Sequence, residues 1–251
     1  MTETAKKISE QAALLGINKG DTLLVHSSLR SLGGASAADV IDGLRDALGE
    51  EGTLVFPTLS YQNCNPNKPN FDYYETKSNV GYLPEYFRTE VKGVIRSMNP
   101  THSCAAIGKN AEFVTSGHIL DKTPCGPNSP FRRVMELNGK ILFIGCGMNC
   151  NTSMHAVEEL SEPDYLYGGD YEYTFTDKDG KTYKAPCRAH GFKGVAQCYY
   201  RLADLLVGDE LRIGNILSAE CHLVQTKAMW EKADRKYREE QYYFIDWIER
   251  S

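Results

Sequence analysis

The sequence predicts an α/β protein, with a central mixed sheet flanked by helices and an added antiparallel hairpin. Two patterns carry that prediction. Over the first 160 residues, apolar runs of strand length alternate with stretches of helical periodicity, the order expected of successive βα units. Further on, YEYTFTDKDGKTYK (171–184) alternates residue by residue around Asp179-Gly180, a hairpin signature. Hydrophobic residues make up 41% and charged residues 24% of 251 positions, the profile of an ordinary globular protein. That length can bury a sizeable core as one continuous unit, 1–251, with a smaller lobe around 161–225 as its one subdivision.

The elements follow in order. Residues 3–15 read as a helix stopped by Gly16, and TLLVHSS (22–28) as a strand. Residues 36–48 place Val40, Ile41, Leu44 and Leu48 on one helical face. Ser36 and Asp39 form a loose capping box in front, and Gly49 is the stop behind. TLVFPT (53–58) is the next strand. The stretch 61–81 is rich in Asn, Pro and Tyr, and is too long for a simple connection. Pro84 and Pro130 each open a short helix, the second closed by Gly139. KILFIGC (140–146) is a buried strand, and Asn151 or Thr152 can cap a helix running through His155 to Leu160. After the hairpin come a helix near 193–207, short strands near 211–225 and an aromatic-rich helix from about 227 to 249.

Charge and cysteine usage narrow the function classes. Against 33 acidic residues stand 28 Lys and Arg, a net charge of −5, which disfavours nonspecific nucleic-acid binding. No apolar run approaches the roughly 18 residues a bilayer span requires. The opening MTETAKKISEQAALLG lacks the continuous apolar core of a signal peptide. The expectation is a cytoplasmic monomer or homodimer with no membrane or nucleic-acid partner. Eight cysteines over this length are not a stapled scaffold, so reduced thiols are expected. Cys146, Cys150 and His155 have the spacing C-x3-C-x4-H without a second half, and no metal is expected.

Three segments can carry chemistry. The strand end His26-Ser27-Ser28-Leu29-Arg30-Ser31 runs into Gly33-Gly34 and a helix. It can point backbone N–H groups at a phosphate or carbonyl oxygen, or it is simply a glycine-rich joint. Its spacing is neither a P-loop nor a dinucleotide fingerprint. Asn99-Pro100-Thr101-His102-Ser103 offers a histidine for a ligand or a proton, or one bonded to backbone. In Asn151-Thr152-Ser153-Met154-His155-Ala156-Val157-Glu158-Glu159, helical spacing puts a carboxylate on the face of His155. Such a pair fixes the imidazole tautomer and frees the other nitrogen as a base, or it is a surface ion pair.

Together these segments resemble the aminoglycoside 3-N-acetyltransferase family. The resemblance runs from about residue 20 to 160 and rests on GDTLLVHSSLRSLG, GTLVFPT, FDYYETKSNVGYLPEYFR, IRSMNPTHSCAAIGK, CGPNSPFRRVMELNGKILFIGCG and NTSMHAVEE, in the family's order. It implies a fold distinct from the common acetyl-CoA N-acetyltransferase superfamily, with acetyl-CoA as co-substrate and direct transfer of acetyl to an amine. By the same resemblance, His155 is the catalytic histidine and Glu158 its carboxylate neighbour. Ser27, Ser28, Leu29, Arg30 and Ser31 contact the CoA, and His102 and Ser103 line the same cleft.

Acyl transfer suits that assignment. An ammonium is not a nucleophile, so a base must take a proton as nitrogen attacks the thioester. The tetrahedral oxyanion then needs N–H or O–H donors, which a strand-end loop supplies. A nucleophilic cysteine is the rival, with Cys150 the candidate by its closeness to His155. After residue 160 the resemblance thins to an echo around Ile213-Gly214 and Cys221-His222-Leu223. A polycationic aminoglycoside calls for converging carboxylates. Asp72 and Glu159 are the expected substrate contacts, with Glu75, Glu162, Asp164 and Asp170 also available, and the cleft-loop tyrosines Tyr61, Tyr73, Tyr74, Tyr165 and Tyr167 offer a stacking surface. Two alternatives stand beside the aminoglycoside acceptor: a metabolite amine or aminosugar acetylated by the same chemistry, and a non-catalytic CoA-binding module.

Overall fold

The structure, a computed structural model, describes residues 1–248. Its elements in chain order are α1 (Glu3–Leu15), β1 (Thr22–Ser27), α2 (Ala37–Leu48), β2 (Thr53–Pro57), β3 (Asn70–Asp72), α3 (Tyr82–Glu90), β4 (Ile95–Arg96) and β5 (Cys104–Gly108). These are followed by α4 (Ala111–Thr115), α5 (Pro130–Glu136), β6 (Lys140–Ile144), α6 (Ser153–Ser161), β7 (Tyr167–Thr176) and β8 (Thr182–His190). The chain ends with β9 (Val195–Gln197), β10 (Leu211–Ile216), β11 (Ala219–Gln225), α7 (Thr226–Glu239) and β12 (Ile245–Trp247).

Seven strands form the central sheet in the order β10-β11-β6-β1-β2-β5-β4. β6, β1 and β2 run parallel, and the flanking strands pair antiparallel, so the sheet is mixed. Side chains alternate between its two faces. Leu23, Val25, Leu54, Phe56, Leu142 and Ile144 pack in one apolar layer with the buried faces of α1, α2 and α3. Leu24, Val55, Ile141 and Phe143 pack in the other, with residues of α4 to α7. His26 follows that alternation onto the second face. Its register partner across the β1–β6 ladder is Phe143, and the two rings stack at 5.1 Å.

Much of the sequence expectation is met. Gly16 ends α1 with φ 115°, and Ser36 and Asp39 close a reciprocal capping box on α2. The hairpin turns where expected, with Gly180 at φ 78° and the Asp177 carboxylate accepting from Asp179 and Lys181 N–H. β7 and β8 add β3 to form a separate three-stranded sheet, whereas 211–225 joins the central one. The 161–225 segment is thus divided among three sheets, because Val195–Gln197 (β9) pairs apart from both with β12.

Four expectations need correction. Pro84 lies inside α3 rather than opening it, because Gly81 is the N-cap. α5 ends before Gly139, with Asn138 taking the left-handed turn at φ 52°. The expected helix near 193–207 and the single helix to 249 are both broken. Val195–Gln197 pairs with Ile245–Trp247, and tight 3-10 turns over Tyr199–Asp204 replace the first helix. Two short segments distant in sequence gain a ladder that neither gains as a helix. The part of the last expected helix at 249 falls outside the described residues.

Candidate active site

The parallel strands β6, β1 and β2 end at one edge of the sheet, and a cavity of about 540 Å3 lies there. Open α/β sheets place ligand sites at this carboxyl edge. His26 and Ser27 of β1, Pro57 of β2 and His102 from the loop before β5 line it. Cys146, Cys150 and His155 follow from β6 and the start of α6, while His190 and Phe192 come from the end of the hairpin.

Local sequence explains how His155 reaches this wall. Gly145 and Gly147 take φ 61° and 67°, turning the chain out of the sheet as only glycine does readily. The Asn151 side chain then accepts the Ser153 N–H at 3.2 Å, while Thr152, the N-cap by position, makes no side-chain cap bond. His155 falls in the first turn of α6, three residues before Glu158, on the same helical face.

Glu158 is fully buried and accepts four hydrogen bonds. Tyr165 and Tyr237 each donate to Oε1 at 3.0 Å. Tyr199 donates to Oε2 at 2.8 Å, and His155 Nδ1 lies 3.1 Å from the same oxygen. Burial alone would raise this carboxyl, but the bond and charge of His155 and the tyrosine hydroxyls hold it below the usual carboxylate range. Tyr199 O also lies 2.8 Å from His155 Nδ1. Because the single Tyr199 proton goes to Glu158, Nδ1 must carry the imidazole proton. The Nε2 lone pair is left without a partner among the described residues.

A second histidine–carboxylate pair stands beside the first. His190 Nε2 donates to Glu159 Oε1 at 2.8 Å, and the Cys125 N–H and Thr123 hydroxyl hold the same carboxylate. The rings of His102, His155 and His190 lie 5.0 to 5.7 Å apart. Burial, reinforced by the neighbouring rings, pushes His102 well below its ordinary value. It pushes His26 to about 3, with His155 adding to the effect.

The expected donor-binding residues divide. Ser27 and His102 line the cavity, and the Ser27 hydroxyl is buried without a partner among the described residues. Ser28, Leu29, Arg30 and Ser31 lie outside the lining. There Ser28 N–H donates to Ile144 O, Ser31 Oγ donates to Ser28 O, and Arg30 is exposed. Ser103 is fully buried as a partner of Arg96 Nε and Thr58. Cys150 lines the cavity, but no described hydrogen bond links it to His155, and its Sγ lies 3.4 Å from Cys146 O.

The expected acidic residues do not converge. Asp72 caps a turn by accepting the Tyr74 and Glu75 N–H groups, and Asp170 pairs with Arg188. Glu159 lies behind His190, and no Asp or Glu is among the described lining residues. Of the cleft-loop tyrosines, Tyr61 lines the cavity and Tyr165 braces Glu158, while Tyr73 accepts Arg96 N–H. His190, Tyr199 and Tyr237 were not legible as site residues. They come from separate later elements and share no local motif with His155, although His190 is one of only six histidines.

Comparison with known proteins places the chain by family and fold. A family model described as aminoglycoside 3-N-acetyltransferase matches residues 24–238, well past the point where local motifs thin. Aminoglycoside N(3)-acetyltransferase III of Salmonella sp is 30% identical over 213 residues, covering 78% of this chain and 74% of that protein. The crystal structure of aminoglycoside acetyltransferase AAC(3)-Xa has a TM-score of 0.83 at 25% identity, covering 94% of this chain and 92% of that one. A mutant of AAC(3)-IVa solved in complex with gentamicin has a TM-score of 0.79 at 27% identity, covering 95% and 89%.

Proposed function

Given that the chain belongs to the aminoglycoside 3-N-acetyltransferase family and is an acyltransferase, we propose that it moves an acetyl group from acetyl-CoA directly to an amine of an aminoglycoside, at the 3-N position, with His155 as general base. The observation that carries this reading is the His155–Glu158–Tyr199 arrangement in the cavity wall. The Nδ1 proton is committed to Glu158 and Tyr199, so Nε2 faces its chemistry as a lone pair.

In the proposed reaction the acceptor nitrogen attacks the thioester carbonyl and passes a proton to His155 Nε2. The Glu158 carboxylate stabilises the imidazolium that forms. Ser27, whose hydroxyl has no described protein partner, donates to the developing oxyanion. As the C–S bond breaks, the same imidazolium returns its proton to the departing thiolate. No metal takes part in these steps. That no described hydrogen bond joins Cys150 to His155 favours direct transfer over an acyl-cysteine intermediate, although the Cys146 side chain lowers the Cys150 thiol to about 7.

The absence of a carboxylate among the described lining residues favours one second reading: a less highly charged aminosugar or metabolite amine as acceptor. Mass spectrometry of products from acetyl-CoA with gentamicin and, separately, with simple aminosugars tests both. Singly acetylated gentamicin formed at a useful rate supports the first reading. Acetylated aminosugar alone supports the second, and no product from any amine overturns both.

A further inference from the structure

Adjacent glutamates on α6 serve different histidines. Glu158 holds His155, and Glu159 holds His190 from Nε2. The acetyl-transfer steps use only the first pair. His190 nevertheless lines the cavity, with 4% of its side chain exposed and its ring 5.3 Å from that of His155. Its orientation is fixed by His102 at 5.0 Å and Phe192 at 5.1 Å, with Tyr167 at 6.0 Å.

The free nitrogen of this ring has one available role. A carboxylate oxygen only accepts, so the proton of neutral His190 sits on Nε2 and Nδ1 is an acceptor. Nδ1 is buried and has no partner among the described residues. Buried acceptors are nearly always satisfied, because leaving one bare forfeits its hydration without return. Burial pushes His190 below its ordinary value, and the His155 ring works in the same direction, although the bond to Glu159 opposes them. The neutral, accepting form is therefore the one present near pH 7.

We propose that His190 is an acceptor-recognition residue: its Nδ1 receives a hydrogen bond from a hydroxyl or amino group neighbouring the amine that is acetylated. The proposal rests on the acetyl-transfer reading for the identity of the reacting amine. It places the substrate among amines carrying a second N–H or O–H donor a short distance along a ring or chain, as amino alcohols and diamines of sugar type do. It also explains how a cavity without carboxylate lining selects an amine: the Glu159 charge reaches the ligand through the imidazole rather than by direct contact.

The test compares wild type with His190→Gln, whose side-chain amide can still donate to Glu159, and with the double variant His190→Phe/Glu159→Gln, which leaves no unpaired buried carboxylate. Gentamicin is the probe, read by steady-state kinetics and by calorimetric binding to the free enzyme. The expected result is a rise of tenfold or more in gentamicin KM and Kd for both variants, with the acetyl-CoA KM held within threefold. Unchanged gentamicin KM and Kd in a folded variant overturn the proposal, and so does a loss confined to kcat. Wild-type turnover separates the two readings: if gentamicin binds and neither it nor any simple aminosugar is acetylated, the acetyl-transfer reading fails while the Kd ratio still decides His190. A parallel pair of simple amines, trans-2-aminocyclohexanol and cyclohexylamine, isolates the second donor. Wild type should prefer the amino alcohol, and His190→Gln should erase that preference.

Discussion

At the residue scale, three side chains have separable effects. His155→Ala removes the only proposed base, and kcat should fall by about 10²–10⁴-fold, the usual worth of a positioned acid–base group. Acetyl-CoA affinity, measured by calorimetry, should stay nearly unchanged. Tyr199→Phe is milder. It deletes one of the four donors to Glu158 and a contact to Nδ1, so kcat should drop about tenfold with the fold intact. A kcat within twofold of wild type for His155→Ala would end the mechanism. Glu158 also defines an acid limit. Its folded pKa is depressed, so its contribution to stability is present above the usual carboxylate range and is lost as pH falls through the folded value. His155 and Glu158 were legible because their relation is local: three residues on a helix fix their distance. Tyr199 and Tyr237 lie 41 and 79 residues from Glu158 and meet it only through tertiary packing.

At the element scale, the turn from β6 toward α6 carries the site. Gly145 has φ 61°, and a Cβ there would overlap the Ser31 side chain. Gly145→Ala should therefore cost about 2–3 kcal/mol, combining left-handed strain with the steric clash. It should also displace the Ser28–Ser31 turn that follows β1. The checks are thermal denaturation and donor kinetics: Tm should fall and the KM for acetyl-CoA should rise more than that for the acceptor. An unchanged acetyl-CoA KM in a destabilised protein would detach this turn from donor binding. Local signals were reliable where they were strong, as in the Ser36–Asp39 box, the Gly16 stop and the Asp179-Gly180 turn. They failed at 193–207 and beyond Glu239. Phe192 and Gly194 take left-handed backbone there, and the pairing of β9 with β12 overrides helical periodicity.

At the scale of the whole molecule, the packing encloses four histidines in neutral form. Burial is the largest cause for each of His26, His102, His118 and His190, and it places His118 at about 4. His118 is held on both sides, donating from Nε2 to Pro124 O and accepting from Ser97 at Nδ1. With folded pKa values below the unfolded value near 6.5, stability is full above that pH. It falls as pH drops, by about 1.4 kcal/mol per unit for each group still neutral in the fold. Tm should be flat above pH 7 and decline steeply between pH 6.5 and 4.5, and His118→Asn should flatten the slope. A pH-independent Tm over that interval would contradict the buried neutral assignment.

The sequence by itself determined the mixed α/β class, most strand and helix positions, the His155–Glu158 pair and the family, because each is written in short-range spacing or in ordered local motifs. Tertiary structure alone decided the company that pair keeps: the tyrosine cage on Glu158, the second pair His190–Glu159, and the failure of Asp72 and Ser103 to reach the cavity. The reason is physical. Helical and strand periodicity fix where a side chain points relative to its near neighbours. Which distant groups it then meets depends on how the sheet orders its strands and where the hairpin and α7 come to rest.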